Sequence, residues 1–186
     1  MTGRAPGATI QPPPARRERF AVVAARYNEA ISKKLAEGAV AAFASHGIGG
    51  RAVEVHWVPG SFELPQAALA LARTRRYAGI VCVGVVIKGE TPHFDHVAGA
   101  AARGIARVAL ETGVPVGFGV VTALTEEQAW ARAGGAVGNR GEEAALATLE
   151  MARWMPDGRP RRPPKGGRGA RPGGQRLVTR PRGPIS

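Results

Sequence analysis

The chain has a single cysteine, Cys82, among 186 residues, so no disulfide can form within it and a reducing cytoplasm is its expected setting. Cys82 sits inside an apolar run, where a thiol behaves as a small buried hydrophobe. No uninterrupted apolar stretch approaches membrane-spanning length, and the basic N-terminus lacks the apolar segment of a secretory leader, so a soluble cytoplasmic protein is expected, with no membrane partner. The G-x-G-x-x-G spacing is also absent, which removes the usual dinucleotide fingerprint. Acidic residues are scarce at both ends: residues 1–17 hold none, and residues 156–186 hold only Asp157. The net charge of +12 is therefore divided unevenly, with +3 in residues 1–17, +8 in residues 156–186 and only +1 between them. A nucleic-acid reading drawn from total charge applies to the ends, not to the centre.

With 44% hydrophobic residues, the chain suffices for one ordinary α/β domain and is too short for two sizeable cores. Residues 18–155 are expected to form that domain. Residues 1–17 and 156–186 are rich in Arg, Pro and Gly, as in Pro12-Pro13-Pro14 and Arg159-Pro160-Arg161-Arg162, and are expected to be disordered tails.

Apolar runs alternate with helical patterns along the centre. Phe20–Ala25 reads as a strand, and Asn28 as the cap of a helix with Ile31, Leu35, Ala39 and Phe43 on its buried stripe and Gly47 at its end. Residues 52–58 read as a strand with one wetter face. Ser61 then reads as the cap of a helix over 62–75, with Glu63 near its positive end. Residues 79–87 are the most uniformly apolar run, as a central strand covered on both faces requires, and Phe94, Val97, Ala98, Ala101, Ile105 and Val108 follow at helical spacing. A fourth strand over 114–121 precedes helical patterns at 126–133 and 139–154. Such alternation implies right-handed βαβ units, and hence a three-layer α/β/α sandwich around a four-stranded, mainly parallel sheet of flavodoxin-like type. Ligands of such sheets bind at the carboxyl ends of the strands, so residues 26–28, 59–63, 84–93 and those from Thr122 onward are expected along one edge.

The third of these junctions carries the chemistry. Thr91-Pro92 predicts a helix start, with Thr91 as cap, Pro92 at the first helical position and His93 in the first turn. Free amides at such a terminus attract an anion such as phosphate, and Gly89 permits close approach. Glu90 and Asp95 oppose an anion locally, so a cation is needed, and Arg132 can grip two phosphate oxygens at once. A histidine beside a phosphate suits proton transfer at neutral pH. Blander readings stand beside this one. First-turn histidines are more often surface residues than catalysts, and Tyr27 and Phe62 at strand ends can be core lids. His93, Asp95 and His96 form no recognised catalytic zinc pattern and gain no further ligand, so no metal is expected.

Several segments together resemble the 6,7-dimethyl-8-ribityllumazine synthase family: Arg26-Tyr27-Asn28, Trp57 to Pro65, Gly84 to Asp95, Gly113 to Val116, Phe118 to Thr122, Arg132-Ala133-Gly134 and Gly138 to Gly141. They occur in order and at the family's spacing from about Phe20 to Trp154. The resemblance implies condensation of 5-amino-6-(D-ribitylamino)uracil with 3,4-dihydroxy-2-butanone 4-phosphate, releasing phosphate and water, with no metal or organic cofactor. It further implies that Tyr27, Phe62 and Phe118 pack around the uracil ring, while Ser61, Glu63, Val85, Val86 and Ile87 bind its polar edge and ribityl chain. Glu90, Thr91 and Arg132 would hold the butanone phosphate, and His93 would shuttle protons. Homopentamers with the site between neighbours are implied as well, Phe118 and Arg132 coming from the adjacent subunit. The short stretch from Arg132 to Gly141 permits a sixty-subunit shell, and association with riboflavin synthase accompanies the resemblance.

Three positions depart from the family's pattern. Tyr27 stands where Phe is usual, Val85 where Thr is common, and Ala136 where Lys is frequent. The first keeps a stacking ring, the second spares backbone contacts, and the third weakens the positive field near Arg132. A different reading makes the chain a binding protein whose Arg-rich C-terminal tail recruits RNA or another polyanion without sequence preference. Arg, Pro and Gly runs are also what a GC-rich gene yields when read beyond or out of its frame, which would make the tail incidental.

Overall fold

The computed structural model describes residues 19–155. The expected disorder of residues 1–17 and 156–186 falls outside the described residues, as does residue 18 of the expected domain. Within them the apolar runs become strands β1 (Phe20–Ala25), β2 (Val53–Val58), β3 (Gly79–Ile87) and β4 (Val116–Ala123), paired in parallel in the order β2-β1-β3-β4. The helices are α1 (Glu29–Ser45), α2 (Leu64–Arg73), α3 (His93–Thr112), α4 (Glu126–Ala131) and α5 (Arg140–Trp154). A short antiparallel hairpin, β5 (Ala133–Gly135) and β6 (Gly138–Asn139), joins the last two.

Strand alternation sorts the core into two layers. Phe20, Val22 and Ala24 of β1 face α1 and α5, meeting Leu35, Ala39, Phe43, Ala145 and Leu149. Ala21, Val23 and Ala25 face the other way, toward Leu64 and Ala68 of α2 and Ile105 and Val108 of α3. The sandwich is therefore three-layered, and β3, flanked on both sides, keeps Ile80 to Val83 wholly buried. Burial pushes the Cys82 thiol up to about 12, which leaves it an inert packing group.

Helix starts differ from their sequence signals. Asn28 precedes α1 but adopts the left-handed region, φ 55°, and its side chain makes no capping bond; an N-cap side chain needs extended backbone to reach the helix amides. Ser61 does not cap α2 either, because the helix begins at Leu64 and the Ser61 hydroxyl is drawn to the carbonyl of Val85 instead. Helix α3 begins at His93, not Pro92, and Thr91 makes no capping bond. Strand β4 runs two residues later than expected, since Gly113 in the left-handed region ends α3 and Pro115, lacking an N–H, meets β3 only through its carbonyl, which accepts from the Ile80 amide at 2.9 Å. The 134–138 stretch, between the two expected helical patterns, turns into the hairpin through Gly134 and Gly138, both at positive φ.

At the amino ends of the strands, polar side chains pair with one another. The Glu54 carboxylate at the start of β2 accepts from the hydroxyl of Tyr77 and pairs with Arg19, with Arg76 at 3.5 Å and with the His56 ring at 3.6 Å. Tyr77 precedes β3 and Arg19 precedes β1, so one carboxylate ties three adjacent strands at one end of the sheet.

Candidate active site

The crossover after β1 leaves on the α1 face and that after β3 on the α3 face, so the chain parts between these two central strands and opens a crevice at their carboxyl ends. A cleft of about 740 Å³ lies there. Three turns wall it. The first is fixed by continuation of the β1–β2 ladder: the Arg26 amide donates to Val58 O at 2.8 Å and the Tyr27 amide to Pro59 O at 3.0 Å. Asn28 then swings the chain into α1, which leaves the Tyr27 ring at the cleft wall and 73% exposed.

The second turn, Pro59 to Glu63, is closed by the Glu63 amide donating to Gly60 O at 3.2 Å. Ser61 is buried beneath it, its hydroxyl donating over a long 3.5 Å to Val85 O, while the Phe62 ring remains 60% exposed. Gly84 makes this seat available. A Cβ there would stand 2.7 Å from Ser61 Oγ and 3.1 Å from the Ala25 Cβ, so any side chain at Gly84 would lift the turn off β3. Tyr27 and Phe62 are thus not core lids: two rings stand open at the cleft, offering stacking surfaces to a flat ligand.

The floor is formed by Val85, Val86 and Ile87, and the third wall by Gly89, Thr91 and the first turns of α3. Among the described residues the amides of Gly89, Glu90 and Thr91 donate to no protein group, and nothing lies within 4 Å of where a Cβ on Gly89 would be. Consecutive open amides ahead of a helix suit an anion. The Asp95 and His96 amides turn back to Pro92 O, at 3.0 and 3.4 Å. The apolar stripe of α3 is buried only from Ala101 onward; Phe94, Val97 and Ala98 are half-buried, because the first turns border the cleft rather than the core.

Most of the residues expected at the site meet in this one cleft: Tyr27, Ser61, Phe62, Glu63, Val85, Val86, Ile87, Thr91 and His93 all line it. Three do not. Glu90 is exposed in the loop ahead of α3 but is not among the cleft walls. Phe118, midway along the edge strand β4 and 42% exposed, borders a separate groove of about 500 Å³ with Leu110, Val116, Met151 and Met155. Arg132 ends α4, and its guanidinium donates back to Gln128 O at 3.3 Å. Within one chain, therefore, the residues from Thr122 onward do not join the cleft. His96 lines it too, and its spacing of three residues from His93 on one helix was the signal that marks it as a neighbour on the same face.

The four histidines fall into two kinds. The His46 ring pairs with Ala42 O at 2.9 Å and Ser45 Oγ at 3.2 Å, and the His56 ring lies 3.4 Å from the Tyr77 hydroxyl. The rings of His93 and His96 have no protein partner among the described residues. No group of three or more His, Cys, Asp or Glu is gathered as a metal site among the described residues, and no described helix is long and apolar enough to cross a membrane.

A parallel α/β sheet whose switch point opens into a cleft with two bare rings, two imidazoles unpartnered among the described residues and a run of open amides has the form of a small-molecule site. Residues 17–156 match the family model of 6,7-dimethyl-8-ribityllumazine synthase, and the chain belongs to that family. It is accordingly an enzyme of that class, a transferase of riboflavin biosynthesis.

Proposed function

We propose that the enzyme condenses 5-amino-6-(D-ribitylamino)uracil with 3,4-dihydroxy-2-butanone 4-phosphate to 6,7-dimethyl-8-ribityllumazine, releasing phosphate and water. The observation that carries this reading is the convergence of Tyr27, Phe62, Thr91 and His93, from three separate turns, on one cleft at the sheet's switch point. Tyr27 and Phe62 flank the uracil ring, Ser61 and Glu63 with the Val85 to Ile87 stretch meet its polar edge and ribityl chain, and the open amides at Gly89 to Thr91 receive the phosphate.

The reaction needs no protein nucleophile. The uracil amine attacks the ketone carbon, and water leaves as the imine forms. Loss of the C3 proton and of phosphate then leaves an enol that tautomerises to a new carbonyl at C3; the ribitylamino nitrogen attacks that carbonyl, and a second water leaves as the ring closes. Each stage moves a proton between nitrogen, carbon and oxygen, and His93 is the group that gives and takes it. The larger share of the rate comes from holding two substrates in register, which converts an encounter in solution into a reaction within one complex.

The phosphate end of the cleft has open amides but, among the described residues, no Lys or Arg lining it. Arg132 and Phe118 of a neighbouring copy supply what is missing, in a homopentamer that can grow to a sixty-subunit shell. The catalytic domain is residues 18–155 in this reading, with a cytoplasmic setting. The Arg-rich segment 156–186, at +8, adds polyanion binding without a role in catalysis. Removing it abolishes salt-sensitive RNA retention and leaves turnover intact; loss of turnover would overturn the domain boundary. For the activity itself, the two substrates are mixed with purified protein and lumazine absorbance and fluorescence are followed. A rate well above the spontaneous condensation is expected, and a rate no faster than spontaneous would refute the assignment.

A further inference from the structure

We infer that His96 is a substrate-binding residue of the cleft that recognises the polyhydroxyl chain of the amine substrate. The inference rests on the function proposed above and extends it to a side chain not so far given a role. His96 follows His93 by three residues in the first turns of α3, which turns the two side chains to one face about 4.5 Å apart along the axis. Both line the cleft, together with Phe94 and Val97.

Three observations select a neutral polyol. First, the His96 ring is exposed and has no protein hydrogen bond among the described residues, unlike His46 and His56, whose rings are engaged within the fold. A neutral imidazole offers one donor and one acceptor, which matches a hydroxyl, itself donor and acceptor. Second, the open amides suited to phosphate lie at Gly89 to Thr91, ahead of the helix, and His96 sits a turn further along α3, away from them. Third, the one Asp, Glu, Lys or Arg among the described residues that line the cleft is acidic, Glu63, and Asp95 is adjacent to His96 in the chain. That field disfavours an anion at His96 and leaves an uncharged hydroxyl chain undisturbed.

The test compares the ribityl substrate with an analogue carrying N-methyl in place of N-ribityl. In steady-state assays with full-length protein, His96→Ala is expected to raise KM for the ribityl amine about 3- to 10-fold, the range of one lost neutral hydrogen bond, while KM for the butanone phosphate stays put. Binding of the N-methyl analogue, measured by calorimetry, is expected to be equal in wild type and variant, and His96→Gln, which keeps a donor and an acceptor, recovers part of the loss. Equal KM for the ribityl amine in wild type and His96→Ala would overturn the inference, as would equal losses with the N-methyl analogue. A wild type that forms no lumazine would instead remove the functional reading on which the inference stands, and the inference with it.

Discussion

The two ends of the sheet use the same kinds of side chain in opposite ways. At the amino ends, Tyr77, His56, Arg19 and Arg76 all converge on Glu54, so that a phenol, an imidazole and two guanidiniums are spent on one carboxylate. At the carboxyl ends, Tyr27, His93, His96 and Thr91 line an open cleft, and neither imidazole there has a protein partner among the described residues. A polar group that is already satisfied holds strands together; one left unsatisfied beside a cavity is available to a ligand. The difference separates stability from chemistry in one small domain, and substitutions at the two ends should divide the same way.

The largest effect is expected from Arg132→Ala, with kcat/KM falling ~10³-fold in the lumazine assay, because a developing phosphate charge loses its clamp and no solvent group replaces it. His93→Ala should cost less, ~10²-fold in kcat, since water can still carry protons, slowly. Neither change should move the thermal midpoint by more than a degree or two; a large drop in either would mean that the carboxyl end also holds the fold. Tyr77→Phe is expected to do the reverse, removing ~1 kcal/mol of stability in urea titration while leaving kcat/KM within twofold.

Acid sensitivity sharpens the same contrast. The hydrogen bond from Tyr77, against the cost of burial and aided by Arg19 and Arg76, holds the Glu54 carboxyl below the usual range. Its ionised form thus favours the folded state above the unfolded carboxylate value of ~4.3, and the contribution fades as pH falls through the lowered folded value. Burial, then the neighbouring Glu54, push the Tyr77 phenol up, so its contribution holds below ~10 and fades as pH rises through the raised value. Tyr77→Phe should flatten the decline in stability below pH ~4.3 and remove that phenol's share of the alkaline decline. Unchanged slopes would show that Glu54 is not the node it appears in the ladder of strands.

Much of this was legible in the chain. Period 3.6 exposed the α1 stripe, since Ile31, Leu35, Ala39 and Phe43 are all buried, and the unbroken apolar run of residues 79–87 identified the central strand. The cleft residues were legible because a parallel sheet assigns its ligands to known strand ends. Caps were less so. Ser61 and Thr91 have the right side chains, but Ser61 finds a partner across the sheet in Val85, a contact that no local pattern encodes. The β5–β6 hairpin is too short for periodicity, and its form depends on two glycines at positive φ. Phe118 and Arg132 lie outside the cleft of their own chain, and only the resemblance assigned them to a site shared between copies.

That sharing is tested most directly by mixing two defective subunits. His93→Ala and Arg132→Ala chains, co-expressed in equal amounts so that they assemble together, each carry one intact half of the site. If the guanidinium of one copy serves the imidazole of the next, about a quarter of the boundaries regain both groups, and lumazine formation recovers to ~25% of wild type although each variant alone is nearly inactive. Co-assembled chains no more active than the average of the two variants would contradict a site built across the subunit boundary.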